Sequence, residues 1–226
     1  MFAVCNLAGC VSRWTAQNDK DLCRLISYVK WTPFALVSKV KPSELDQIEV
    51  HGCPDADFAG SRYTAKSISG GVAGIATPGS WVPTDWECRR QTATATSTTE
   101  AETISLTSIA KKVIPLQTLW STLLNRPVRA RYFEDNMSTI TVIKTGFSIA
   151  MRHLAKHHRV SLSFANEVTS NEHHASIEHV ATTLQKGDLL TKALDRVSFE
   201  RGLELNGIVC LTKNQSSLKI PGPTGT

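Results

Sequence analysis

Apolar residues recur at steps of three and four through the middle of the chain: Leu106, Ile109, Val113, Leu116, Trp120 and Leu123. That spacing forms one face of an α-helix. Just upstream, Ser97-Thr98-Thr99-Glu100 reads as a capping box, so a helix is predicted over 97–124. Extended back one step, the stripe reaches Glu102. Glu100 lies roughly 160° away, at about 100° per residue, and is assigned to the cap. A carboxylate on an apolar stripe is costly to bury unless it is paired or bound to a metal. Pro115 falls inside the stripe and predicts a kink or a break.

Shorter β-forming runs flank this helix. They predict strands near 47–57, 67–77, 79–88, 129–134 and 175–181, with further helices near 136–144, 151–169 and 185–205. Strands first, then strands alternating with helices, indicate an α/β architecture. Pro54 predicts that its strand ends early or bulges, because proline has no N–H for a ladder. The glycines of "SISGGVAGIA" read as a hairpin or a bulged strand.

Four acidic residues stand at the edges of these elements: Asp55, Glu102, Asp135 and Asp188. Asp135 and Asp188, taken alone, are also explained as helix caps. Their order on strand, helix, strand and helix is the stronger signal. Carboxylates converging from such positions would repel one another without cations. Hard oxygen ligands suit Mg²⁺ or Mn²⁺, and two such ions are the usual machinery of phosphodiester hydrolysis.

The segments "DADFAGSRYTAKSISG", Trp86 to Gln91 (W-x-x-x-x-Q), "STTEAE", "EDNMSTI" and "GDLLTKAL" keep one order along the chain. Together they resemble the ribonuclease H domain of copia-type retrotransposon Pol polyproteins, over roughly Glu49 to Ile208. The resemblance implies a three-layer α/β fold with a five-stranded mixed sheet. It places Asp55, Glu102, Asp135 and Asp188 as catalytic, metal-binding carboxylates for two Mg²⁺ or Mn²⁺ ions. The substrate it implies is the RNA strand of an RNA–DNA hybrid. Two departures stand out: Pro54 where the family usually has Ser or Thr, and Gly187 where it commonly has Ala. The first residues resemble the stretch that joins reverse transcriptase to this domain. The expected division is therefore a connection remnant over 1–45, the ribonuclease H-like domain over 46–210, and a disordered tail over 211–226. The reverse transcriptase domain of a parent polyprotein is the expected protein partner.

Composition adds little. The formal net charge is +5 and the sequence pI near 8.9, which suits a polyanion weakly. Arg152, Lys156 and Arg159 in "MRHLAKHHR" read as the cationic face of a helix that could meet phosphates. Ser97, Asn136 and Ser138 lie beside the acids and could reach sugar or phosphate. The six Cys show no C-x-x-C spacing, so reduced thiols in an intracellular, cytoplasmic setting are expected. Adjacent His pairs do not match zinc-ligand spacing. Neither a signal peptide nor a membrane-length apolar run is expected.

Three rival readings carry different signatures. An integrase-like enzyme would order its acids Asp, Asp, Glu. A catalytically weak remnant would bind nucleic acid without cutting it. A purely structural domain, with the acids as caps, would ignore divalent ions.

Overall fold

The computed structural model describes residues 1–60, 65–158 and 160–211. Arg159 and the tail beyond Leu211 therefore lie outside the described residues. The central sheet uses β2 (Glu49–Asp57), β3 (Ile68–Thr77), β4 (Ser80–Arg90), β5 (Ala130–Glu134) and β6 (Ala175–His179). Its spatial order is β4-β3-β2-β5-β6. The first three strands are an antiparallel meander, and β5 and β6 join in parallel. This is the mixed five-stranded sheet that the resemblance implies.

Helix α3 (Thr98–Leu123) crosses one face, with α4 (Met137–Thr145) and α6 (Leu162–Val168) beside it. Val50, Ala73, Ile75 and Tyr132 of the sheet meet Leu106, Ile109 and Val113 of α3 in the main core. Each fully buried aliphatic side chain there contributes about 1.5–3 kcal/mol. The close approach explains two glycines. A Cβ on Gly52 would lie 2.8 Å from Val113 Cγ2, and one on Gly71 would lie 2.7 Å from Ile109 Cγ1. Gly71 also has φ +156°, and the β3–β4 register shifts between Ala73 and Gly74. The opposite face packs α7 (Asp188–Thr191), whose Leu190 meets Cys53 and Val72.

Two short segments outside the central sheet form a second, two-stranded sheet. There β1 (Phe34–Leu36) pairs antiparallel with β7 (Ile208–Cys210). Around it lie α1 (Phe2–Ala8), α2 (Ala16–Trp31) and α8 (Arg196–Leu205). Among the described residues no helix is long and apolar enough to cross a membrane.

Several expectations are corrected. Of the kink or break expected at Pro115, the break does not occur: α3 continues through it, with Ile114 and Leu116 packed on the core on either side. Its stripe ends early, because Leu123 is exposed. The helix expected over 151–169 is two pieces, α5 (Leu154–His157) and α6. Ser161 intervenes, its side chain accepting from Phe164 N as the cap of α6. The helix expected over 185–205 likewise divides into α7 and α8, because the Asp195 side chain caps the second. The expected cationic helix face is therefore a single turn, with Lys156 on α5 and Arg152 just before it. β2 neither ends nor bulges at Pro54, which pairs with Gly71. The proline's carbonyl points away from β3, toward β5, where it accepts from Gln185 Nε2 at 2.9 Å. Its nitrogen faces the same side, beyond the last β2–β5 pair at Gly52 and Tyr132, so no ladder donor is lost.

Candidate metal centre

Beyond Gly52 and Tyr132 the parallel strands β2 and β5 separate. Gln185 fills the gap, donating to Pro54 O and reaching Phe133 O at 3.2 Å. Asp55 lies one residue past this opening on β2, and Asp135 follows the last residue of β5. Helix α3 brings the third group. Gln91, buried, donates to Ser69 Oγ at 2.8 Å and to Ala101 O at 3.0 Å, which fixes the first turn of α3 against the sheet. One turn on, Ser105 Oγ lies 2.7 Å from Asp55 O. The helix is thus registered on the strand that carries Asp55, and Glu102 projects beside it.

The result is a cluster of Asp55, Glu102 and Asp135. One carboxylate oxygen from each lies within 4.8 Å of the others. Asp55 and Glu102 are buried and Asp135 is half-buried. Asp135 also accepts from Thr182 Oγ1 at 2.9 Å. Asp188 is not part of this cluster. It is held to its edge by Lys192, whose Nζ lies 2.5 Å from Asp188 Oδ1 and 3.1 Å from Asp55 Oδ1. Thr191 Oγ1 donates to the other Asp55 oxygen. A Cβ on Gly187 would stand 2.6 Å from Asp55 Cβ, which accounts for glycine at that position.

Sequence reasoning missed Lys192, Thr191, Gln185 and Glu134. Glu134, on the α3 side of β5, is fully buried; its Oε2 has no hydrogen-bond partner, while Oε1 accepts from Asn136 N at 3.2 Å. Alternation along β5 could have found it, since Ala130, Tyr132 and Glu134 share the buried face.

The electrostatics follow from crowding. Burial pushes the Glu102 carboxyl up to about 11, with Glu134, Asp55 and Asp135 adding repulsion. Burial also raises Asp55, to about 7; Lys192 opposes the shift and Asp188 adds to it. Burial raises Glu134 well above the ordinary carboxylate range. Glu102 Oε2 is buried without a partner. An orphaned carboxylate oxygen within an acidic cluster fits a hard divalent cation by donor type and charge.

The remaining polar candidates are placed as follows. Ser97 caps α3, accepting from Glu100 N at 3.2 Å. Asn136 caps α4, accepting from Ser138 N at 2.9 Å and Thr139 N at 3.2 Å. Ser138 is exposed. Arg152 is exposed, with its guanidinium 5.7 Å from the centre of the Phe147 ring, and Lys156 is exposed on α5.

Glu100, assigned to the cap by its angular position, directs its carboxylate to two histidines. It is fully buried. One oxygen lies 3.0 Å from His153 Nε2 and 3.1 Å from His158 Nε2, and the other accepts from Thr96 N at 2.9 Å. The segment from Met151 to Val160 covers this side of α3, where Ile104 meets Met151, Leu154 and Val160. Both sides of the helix's first turn are therefore interior.

No family model matches the chain. It is 26% identical over 213 residues to the retrovirus-related Pol polyprotein from transposon RE2 of Arabidopsis thaliana, covering 92% of this chain and 14% of that relative. It is 29% identical over 157 residues to the corresponding polyprotein from transposon TNT 1-94 of Nicotiana tabacum, covering 70% of this chain and 11% of that relative. The chain thus spans about one seventh or less of the length of these relatives. Among solved structures, the N-terminal ribonuclease H domain of a Mycobacterium tuberculosis protein aligns with a TM-score of 0.40 at 14% identity, over 70% of this chain and 97% of that one. The chain is similar in sequence to retrotransposon Pol polyproteins, and its described residues form the mixed five-stranded α/β sheet that the resemblance implies.

Proposed function

We propose that the domain is a metal-dependent endonuclease that hydrolyses the RNA strand of RNA–DNA hybrids, as one part of a copia-type polyprotein that also contains a reverse transcriptase. The observation that carries this reading is the buried convergence of Asp55, Glu102 and Asp135 at the open ends of β2 and β5. Asp55, Glu102 and Asp135 would hold the first Mg²⁺ or Mn²⁺ ion, and Asp188 would join them for a second. Such ions, when bound, activate water and stabilise the departing oxygen of the phosphodiester.

The chain's own residues supply the frame. Gln185 keeps the two strands apart so that Asp55 and Asp135 face a common space. Ser105 and Gln91 hold Glu102 in register with Asp55. Ser97, Asn136 and Ser138 would contact the substrate, since hydroxyl and amide groups suit ribose and phosphate oxygens. Contact with 2′-hydroxyls would select RNA over DNA. Arg152, Lys156 and Arg159 would supply positive charge for the phosphates, the last proposed from sequence. The assignment of residues 1–45 as a connection to the reverse transcriptase belongs to the same proposal.

The test is cleavage of a labelled hybrid by the purified chain with Mg²⁺ or Mn²⁺. Single-stranded RNA and duplex DNA should be spared, and EDTA should abolish cutting. Cleavage that persists in EDTA, or equal cutting of all three substrates, overturns the reading. A second reading, a weakly catalytic module that binds nucleic acid, is favoured by the engagement of Asp188 with Lys192. Hybrid binding without cutting would select it.

A further inference from the structure

The acids of the centre are not equally available. Glu102 has one oxygen with no partner, while both oxygens of Asp55 are taken. Thr191 Oγ1 donates to one, and Lys192 Nζ lies 3.1 Å from the other. The same ammonium lies 2.5 Å from Asp188 Oδ1. Lys192 follows α7 directly, with extended backbone at φ −121° and ψ 151°. Its side chain runs back one turn to Asp188 and across to β2. Two-thirds of that side chain is buried, whereas the Asp55 side chain is fully buried.

We propose that Lys192 is a positioning residue whose ammonium is a built-in cation on the Asp55–Asp188 side of the centre. The resting protein then takes one divalent ion readily, held by Glu102, Asp135 and a remaining lone pair of Asp55. A second ion binds only by displacing the ammonium. The inference rests on the metal reading above but concerns binding order, not hydrolysis. Its physical basis is charge and distance. An ammonium carries one charge and sits about 3 Å from its oxygens, whereas Mg²⁺ carries two and sits near 2.1 Å. A divalent ion can therefore replace the ammonium, but it must first break two ion pairs in a half-buried site.

The probe is Mn²⁺, titrated into the full chain by calorimetry and by electron paramagnetic resonance of the free ion. The parent should bind one Mn²⁺, with a second at least tenfold weaker. Lys192→Met should tighten the second ion about tenfold or more, and Lys192→Arg should leave it weak. Lys20→Met, an equal loss of charge on the exposed part of α2, should match the parent. Identical Mn²⁺ binding by the parent and a folded Lys192→Met variant overturns the role of Lys192 alone. No Mn²⁺ binding by any variant overturns both this inference and the metal reading.

A measurement on the parent covers the case in which Lys192→Met does not fold. Lysine acetylation is followed peptide by peptide in mass spectrometry. Lys192 should react slowly without metal and severalfold faster at saturating Mn²⁺, while Lys20 is unchanged. An equal rate for Lys192 with and without Mn²⁺ overturns the displacement.

Discussion

Glu100 and Glu102 stand two residues apart in the first turn of α3, and both are buried. Their surroundings differ in sign. Glu102 faces Glu134, Asp55 and Asp135, and its carboxyl is driven up to about 11. For Glu100, burial acts in the same direction. Hydrogen bonds from Thr96 and His153 outweigh it and hold the group below its ordinary value. Burial alone therefore does not make a carboxylate reactive. Donors convert one into an anchor, and other acids make the other a candidate cation site. Glu100 ties the segment from Met151 to Val160 to the helix; Glu102 is left with an oxygen that nothing in the described protein satisfies.

The largest expected effect separates the two directly. Glu102→Gln should reduce hybrid cleavage at least roughly hundredfold, by removing charge where it is needed. It should also abolish most of the rise in melting temperature produced by millimolar Mg²⁺ or Mn²⁺. Without metal the variant should be more stable than the parent by about 1–3 kcal/mol, since the repelling carboxylate is gone. Chemical denaturation with and without Mn²⁺ reads both effects. A variant that loses stability without metal and keeps its metal response would return Glu102 to a structural role.

Glu100→Gln should behave in the opposite way. Removing the charge between two histidines should cost about 2–4 kcal/mol. The stabilisation by Mn²⁺ should persist, because the cluster at Asp55, Glu102 and Asp135 is intact. If Glu100→Gln eliminates the metal response while Glu102→Gln keeps it, the roles of the two residues are exchanged.

The pH dependence sharpens the same contrast. Asp55 and Glu102 have folded values above the ordinary 3.8 and 4.5, so their stabilising contribution is full below those values. It is lost as pH rises, through about 7 for Asp55 and on toward about 11 for Glu102. Glu100 is shifted down, so its contribution is held above 4.5 and lost as pH falls through its lowered folded value. Thermal melts in EDTA should therefore decline from mildly acidic pH toward pH 8, and decline again in strong acid. Saturating Mg²⁺ should flatten the alkaline decline and leave the acid one. An alkaline decline that Mg²⁺ does not change would contradict the assignment.

Smaller effects are expected from the supports. Gln185→Ala removes the donor shared by Pro54 O and Phe133 O and should cost about 1–2 kcal/mol. It should weaken Mn²⁺ binding while leaving the Glu100 anchor untouched. Replacing Arg152 and Lys156 with Ala should lower the salt slope of hybrid binding by about one for each phosphate that is no longer neutralised. Glu100→Gln should produce part of the same reduction, because it releases the segment that carries both residues. An unchanged slope in the double variant would make that segment a solvated face.

How much of this could be read in the chain depends on whether the signal is local. The five strands, the long helix and the order of the acids were legible, because periodicity and caps act over a few residues. Asn136 was expected as a cap and is one. The helices expected over 151–169 and 185–205 were not resolved into pieces. Their breaks depend on Ser161 and Asp195 winning backbone N–H groups from a continuing helix. Pro54 was misread because a strand's pairing on each side is invisible in sequence; the missing donor falls where β2 and β5 have already separated.

The sequence by itself determined the α/β order, the core stripe of α3 and four candidate carboxylates, of which the structure brings three together. Those follow from side-chain type and spacing along one chain. Only the tertiary structure decided which buried acid is satisfied. Glu100 meets histidines from a segment more than fifty residues away, and Glu134 faces Glu102 across a strand and a helix. Lys192 reaches Asp55 over 137 positions. A carboxylate's charge state is set by what surrounds it in three dimensions, and on α3 two residues of sequence separate opposite answers.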